Sequence, residues 1–333
     1  MILIITNKED EHPTPVINIL NKRNIPVFRL NTDCLLTDYD FTWWNSSADK
    51  HLMILNKQTG LEVFDDDIVT VWDRRPELPK ELPLQGNEAV NKHNLEEAAG
   101  FLRFIRSYLS SKPSIGSINF DRYASSKIEQ MSCAISIRFR VPETCISNRH
   151  IDVLNIARRN KELVLKPIAS DGIREEGKDT EYVFYSKKVS LKDIENAPKE
   201  AFTQTVSYVQ EYIPKAFELR VTVVAQKVFA CKIESQHLAD NEGKIDWRQG
   251  YDHGLRYEPY DLPDDISEKC IKFLDRMRLN FGAFDFIVTP SGEYVFLECN
   301  PNGQWLWIEM ETGLKISEAI ADTLATGENL IVY

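Results

Sequence analysis

At 333 residues, 43% hydrophobic and 27% charged, the chain has the composition of an ordinary globular protein with room for two or three packed subdomains, which excludes a disordered or fibrous class. A formal net charge of -11 argues against broad contact with nucleic acid or an anionic membrane, both of which demand a basic surface, while leaving a local basic pocket open. Cysteines 34, 133, 145, 231, 270 and 299 form no CxxC pair, MILIITNKEDE is too acidic for a signal peptide, and no stretch nears the roughly 18 apolar residues of a membrane span, so a soluble, cytoplasmic protein is expected.

In chain order, ILII (2–5), PVFRL (26–30) and IVTVW (68–72) are short apolar runs bounded by polar turns, the pattern of buried strands. LEEAAGFLRFIRSYLSS repeats Leu95, Leu102, Ile105 and Leu109 at helical spacing, and a second helix opens at Ser126, which forms an S-x-x-E capping box with Glu129. These elements predict an N-terminal α/β domain of about 120 residues. The second half is richer in strands. LVLKP (163–167), EYVFY (181–185), SYVQEY (207–212), ELRVTVVA (218–225) and VFACKI (228–233) follow closely enough to predict an antiparallel sheet. A helix with Ile266, Cys270, Phe273, Leu274 and Met277 on one stripe follows; then come AFDFIV, EYVFLEC and a last helix carrying Ile316, Ile320 and Leu324.

The stretch FLECNPNGQWLW (296–307) concentrates the chemistry. Strand alternation places Tyr294, Phe296, Glu298 and Asn300 on one face and Val295, Leu297 and Cys299 on the other. A two-residue hairpin loop at Ser291 and Gly292 sets Asp285 opposite Glu298. Like charges so opposed repel, so the pair is expected to be strained unless a cation lies between them; oxygen donors from Asp285, Glu298 and Asn300 suit Mg²⁺. Solvated surface acids on an ordinary hairpin are the alternative. Lys166, ending LVLKP, is costly to bury unless it meets an anion, and Lys127 lies in the first turn of a helix, where phosphate is favoured. Either lysine can equally be a snorkelling side chain. ASDGIREEG (169–177) reads as a mobile phosphate lid or as a plain hairpin loop.

Lys127, Lys166, VQEYIPKAFELRV, FDF and FLECNPNGQW, in that order, resemble the ATP-grasp superfamily over about residues 115–325. VWDRRP (71–76), IESQ (233–236), DWR (246–248) and NPNGQWLWIE (300–309) are more specifically similar to graspetide synthetases of the microviridin type. The resemblance implies an α/β ATP-grasp fold with an N-terminal α/β domain (1–120), a central subdomain with the lid (121–210) and a C-terminal α+β subdomain (211–333), the antiparallel sheets gripping ATP. It implies ATP phosphate contacts at Lys127 and Lys166, adenine contacts at Gln210, Glu211 and Ile213, a ribose contact at Glu218, catalysis by Arg220 and Lys166, and Mg²⁺ on Asp285, Glu298 and Asn300.

For the substrate it implies a precursor peptide with leader helix and core, the leader at Asp193 and Asn196, and contacts from Arg74, Arg75, Ser235, Asp246 and Arg248; a homodimer is implied as well. Read bottom-up, KKVSLKDIEN is also an ordinary solvated helix start, Arg74 and Arg75 also suit surface ion pairs, and DWR also suits a loop anchored by its indole. Trp305 and Trp307, which look exposed by position, are assigned to core or dimer packing. The implied reaction activates Asp or Glu side chains of the peptide as acyl phosphates and closes them onto Thr or Ser hydroxyls (lactone) or Lys amines (lactam). A carboxylate–amine ligase of the glutamate type and a non-catalytic nucleotide-binding module remain the alternatives.

Overall fold

Alternation along the first strand builds the N-terminal layers. In Ile2–Thr6 every residue is buried. Ile2 and Ile4 pack with Val16 and Leu20 of helix Pro13–Lys22, while Leu3 and Ile5 face Leu102, Ile105 and Leu109 at the end of helix Glu88–Tyr108. Buried on both faces, the strand joins a parallel sheet of order Val27–Asn31, Ile2–Thr6, Thr70–Asp73 and Ser114–Ile115. The chain's last helix, Ile316–Thr326, returns to this domain and buries Ile316, Ile320 and Leu324 beside Ile2 and Ile4. The computed structural model describes residues 1–330 apart from 48, 81, 85, 169–171, 175–180, 239, 240 and 329. Among these, no helix is long and apolar enough to cross a membrane.

The run expected to form one antiparallel sheet divides among three: Glu181–Val183 joins a two-stranded sheet, and the others fall into two larger ones. Lys187–Ser190, Glu162–Lys166, Ser207–Glu211 and Thr144–Ser147 make the central sheet, and Tyr257–Pro259, Lys227–Ile233, Phe217–Val224, Phe281–Val288 and Tyr294–Asn300 make the C-terminal one. The break falls between Glu211 and Phe217, where Pro214 lacks the N–H a ladder needs. KKVSLKDIEN divides into the strand Lys187–Ser190 and the helix Leu191–Asn196, with Ser190 and Asp193 forming a reciprocal capping box at the junction. The three-stranded antiparallel sheet Tyr39–Asn45, Lys50–Asn56 and Glu62–Phe64 was not expected; it carries few buried side chains, Leu52, Ile54 and Val63 among them. Of the lid stretch 169–177 only Gly172–Arg174 falls within the described residues, as a strand paired with Glu181–Val183.

The helix Asp264–Met277 covers one face of the C-terminal sheet with the five side chains expected of it, beside Phe284, Phe286 and Phe296. The hairpin under that helix departs from the expected register twice. Its loop is Pro290–Gly292, three residues long, with Thr289 N–H donating to Glu293 O at 3.0 Å and Gly292 at φ +82° supplying the left-handed turn position. A β-bulge between Asp285/Phe286 and Phe296/Glu298 then absorbs Leu297 as an extra residue, and the two shifts cancel, so Asp285 does pair with Glu298.

Side-chain parity, however, inverts at the bulge. Phe296 and Cys299 enter the core, while Leu297, Glu298 and Asn300 line the cavity described below. The common face expected for Tyr294, Phe296, Glu298 and Asn300 therefore does not form. Phe296→Ala is expected to cost about 3–5 kcal/mol in urea unfolding and Leu297→Ala less than half as much. The reverse ranking is what an unbulged strand would give.

Candidate active site

The central and C-terminal sheets face each other across a cavity of about 660 Å³. Strand alternation chooses what enters it. Along Phe217–Val224, Leu219, Val221 and Val223 go to the helix-covered core, so Glu218 and Arg220 project to the cavity side. From Phe281–Val288 come Asp285 and Ile287; from the central sheet come Val164, Lys166, Tyr208 and Gln210.

Asp285 and Glu298 oppose each other, yet each has its own cation. Arg220, the Cα partner of Asp285 on the adjacent strand, donates Nη1 to Asp285 Oδ2 at 2.8 Å and Nη2 to the Gln304 carbonyl at 3.3 Å. Lys127, held at the first turn of helix Lys127–Ser136 behind the Ser126 cap, pairs with Glu298. Glu129 completes only half of the expected box, because its carboxylate accepts the Tyr123 hydroxyl at 2.9 Å.

The carboxylates are consequently unequal. Burial pushes Asp285 up, with Arg220 opposing and Glu298 adding to the rise. At Glu298 burial also acts upward, but Lys127, Lys166 and Arg248 outweigh it and hold the group at about 2. Asp285 Oδ1 is buried without a partner. Lys166 forms no hydrogen bond or ion pair among the described residues; burial lowers its basicity, Glu298 opposes that and Lys127 adds to it. An unsatisfied carboxylate oxygen, a facing carboxylate and the Asn300 amide form an oxygen donor set that fits a hard divalent cation, and the spare ammonium fits an anion beside it.

The remaining expected residues divide by burial. Gln210 donates Nε2 to Thr144 Oγ1 at 3.1 Å and keeps a buried Oε1 unpartnered, while Ile213 packs on Ile287 and Val295 beneath the link between the sheets. Glu211 accepts the Glu143 N–H at 3.2 Å. Glu218 is pushed up by burial, opposed by Lys215 and by Ser235, whose hydroxyl donates to it; Ser235 is buried behind Glu218 and does not line the cavity. Asp246 caps the turn Trp247–His253, accepts Ser186 N–H at 3.1 Å and pairs with Arg248 at 2.7 Å.

Arg75 lines both this cavity and a neighbouring one of about 390 Å³. Arg74 does neither. It is 1% exposed, so the surface ion pair expected of it does not form, and its Nη1 donates to the carbonyls of Asn302 and Gly303 at 2.7 and 3.1 Å. Asp193 and Asn196 lie on an exposed helix away from the cavity lining. Trp305 is fully buried against His12, in line with the core packing assigned to it, whereas Trp307 lines both cavities and packs on Trp247 and Tyr257. Lys215 and Gln304 are cavity residues that motif reading missed; Lys215, three positions before Glu218, was the one available signal.

The strain expected of the acid pair in the empty protein is thus relieved by Lys127 and Arg220. Glu298 sits below its unfolded value of 4.5, so its stabilising contribution is present above that value and is lost as pH falls toward 2. Its side chain is 40% exposed and screened by solvent. Glu298→Gln is expected to lower ligand-free stability at pH 7 by less than about 1 kcal/mol, the difference narrowing as pH drops below 4.5. Equal stability at pH 7, in parallel thermal melts, would show that the Lys127 pair contributes nothing.

Two domain families account for most of the chain: residues 1–122 match the MvdD pre-ATP grasp domain and residues 140–324 the RimK-like ATP-grasp domain. No curated protein matches the chain in sequence. Among solved structures it is similar to a RiPP-associated ATP-grasp ligase of Chryseobacterium gregarium in complex with ADP and a leader and core peptide, at 26% identity and TM-score 0.89, covering 100% of this chain and 99% of that one. It is also similar to two macrocyclases of Microcystis aeruginosa: MdnC bound with precursor peptide MdnA (29% identity, 98% and 99% coverage, TM-score 0.84) and MdnB (26%, 97% and 98%, 0.76). With more than half of its length matched by the second of those domains, the protein belongs to the RimK-like ATP-grasp family of ligases.

Proposed function

We propose that the protein closes rings in a ribosomally made precursor peptide at the expense of ATP. The observation that carries the reading is that Lys127, Lys166 and Arg220 line one cavity with Asp285, Glu298 and Asn300, cations suited to phosphate beside an oxygen set suited to a divalent ion. Full-length similarity to peptide-bound ligases supports a peptide as the substrate.

In this reading Gln210, Glu211 and Ile213 flank the adenine and Glu218, steadied by Lys215 and Ser235, meets the ribose. Asp285, Glu298 and Asn300 would hold Mg²⁺, which would supply charge neutralisation for the phosphate oxygens. Lys127 exchanges part of its bond to Glu298 for phosphate. An Asp or Glu carboxylate of the peptide, guided by Arg75 and by Arg248 with its Asp246 partner, attacks the γ-phosphorus; the bond to the β-phosphate oxygen breaks and ADP departs. Lys166 and Arg220 stabilise charge on the moving phosphoryl group. A hydroxyl or amine of the same peptide then attacks the acyl carbon and phosphate leaves, so each ring removes one water in total. The exposed helix bearing Asp193 and Asn196 receives the leader. A homodimer in a reducing cytosol belongs to the same proposal, and the free state of all six cysteines supports the compartment.

Two tests follow from the site. Lys166 pairs with none of the described residues, so Lys166→Met is expected to leave ligand-free melting unchanged or raised while ATP turnover falls about 10²-fold. Turnover near wild type would remove Lys166 from the phosphate site. The second test compares a core peptide alone with the same core fused to its leader. The fused peptide is expected to lose water, read by mass, at a rate at least about 10²-fold higher, because a docked leader raises the local concentration of the core. Equal rates defeat leader docking; absence of water loss in either peptide, with amine condensation onto a small carboxylate instead, favours a small-molecule ligase.

A further inference from the structure

The sharpest unexplained feature outside the nucleotide contacts is a buried arginine that the N-terminal domain sends into the C-terminal sheet. Arg74 directly follows the strand Thr70–Asp73 and is 1% exposed. Only its Nη1 makes hydrogen bonds, both to carbonyls of the segment that follows Asn300; Nε and Nη2 have no partner. Its counter-ion, Asp10, comes no closer than 3.7 Å. Burying a guanidinium so incompletely satisfied costs several kcal/mol, and an apolar side chain of similar size would stabilise the fold better. Such an exception calls for a role other than stability.

The segment it grips supplies that role. Asn300–Gln304 begins at the amide assigned to the cation and ends at the carbonyl that accepts Arg220 Nη2. Asn300 Oδ1 accepts the Asn302 N–H at 3.0 Å, and Asn302 Nδ2 is tied to Asp121 Oδ2 at 2.8 Å. On its inner side the loop lies so close to the sheet that a Cβ at Gly303 would stand 2.3 Å from Ala283 Cβ and 2.8 Å from Arg220 Nη2. Arg74 and Asp121 pull from one side while the sheet sets the limit on the other.

We propose that Arg74 is a positioning residue: by holding the Asn302 and Gly303 carbonyls it fixes Asn300 and Arg220 for the cation and the phosphoryl group, and so makes the N-terminal domain part of the catalytic apparatus without touching substrate. The inference goes beyond ring closure, and its test uses no peptide, so the two readings fail separately.

The test is ADP binding by the full-length protein with and without Mg²⁺, by calorimetry, alongside thermal melts. In Asp10→Asn combined with Arg74→Met, the buried pair becomes neutral and no charge is stranded. This variant is expected to melt near wild type and to bind ADP without Mg²⁺ within about threefold of wild type, while its Mg²⁺-dependent gain in affinity falls about 10- to 100-fold, the range seen when groups behind metal ligands are removed. Gly303→Ala, which keeps both members of the Asp10–Arg74 pair but crowds Ala283 and Arg220 and so displaces the loop, is expected to lose the same gain and serves if the double variant does not fold. A wild-type response to Mg²⁺ in either folded variant overturns the proposal, as does a parallel loss of Mg²⁺-free ADP binding, the result a merely structural role predicts.

Discussion

Two carboxylates on neighbouring strands, directly opposed and facing a cleft, are the constraint around which the molecule is arranged. Left alone they repel, and a partly buried cleft screens that repulsion less than bulk water does. The fold answers with cations that arrive from different directions. Arg220 is the strand neighbour of Asp285 and cannot avoid it; Lys127 reaches Glu298 from the start of a helix packed on the C-terminal subdomain. Separate partners let the acids stay opposed and still leave Asp285 Oδ1 open. Lys166, contributed by the other sheet, pairs with none of the described residues, so the cleft sets one unsatisfied carboxylate oxygen beside a lysine ammonium, groups that a metal–nucleotide complex suits.

A chain with a net charge of -11 concentrates positive charge where an anion must be held. Local geometry governs this, since the field inside a cleft with low-dielectric walls is set by the nearest groups. Arg248 shows how such a group is kept in place. Its bond to Asp246 and its approach to the Tyr185 ring, 5.9 Å from the centroid, orient a guanidinium that remains 40% exposed on the cavity wall. Arg74, with the same chemistry, is sealed inside. Burial therefore separates an arginine on the cavity wall from one bonded to backbone carbonyls, although the two are identical in sequence.

The N-terminal domain is tied to the rest by more than a linker. The last helix closes on its sheet, Thr70 Oγ1 donates to the Leu324 carbonyl at 2.8 Å, and Arg74 and Asp121 both grip the loop after Asn300. The second cavity is continuous with the first through the shared residues Arg75, Gln304 and Trp307.

Elements whose signal is local were legible in the chain alone. The helix stripe from Ile266 to Met277 and the first-domain strands follow from periodicity, because each depends only on neighbours a few residues away, while the ordered series Lys127, Lys166, Glu218, Arg220, Asp285, Glu298 and Asn300 came from resemblance to the ATP-grasp chain order. The face of each side chain beyond residue 296 was decided only by the tertiary structure. A bulge at Leu297 obeys the packing of Phe296 under a distant helix, and no count along EYVFLEC contains that helix. The same holds for the division into separate sheets and for Arg74, whose hydrogen-bond partners lie more than two hundred residues away. Burial and register are properties of pairs of segments, so they become definite only when the segments meet.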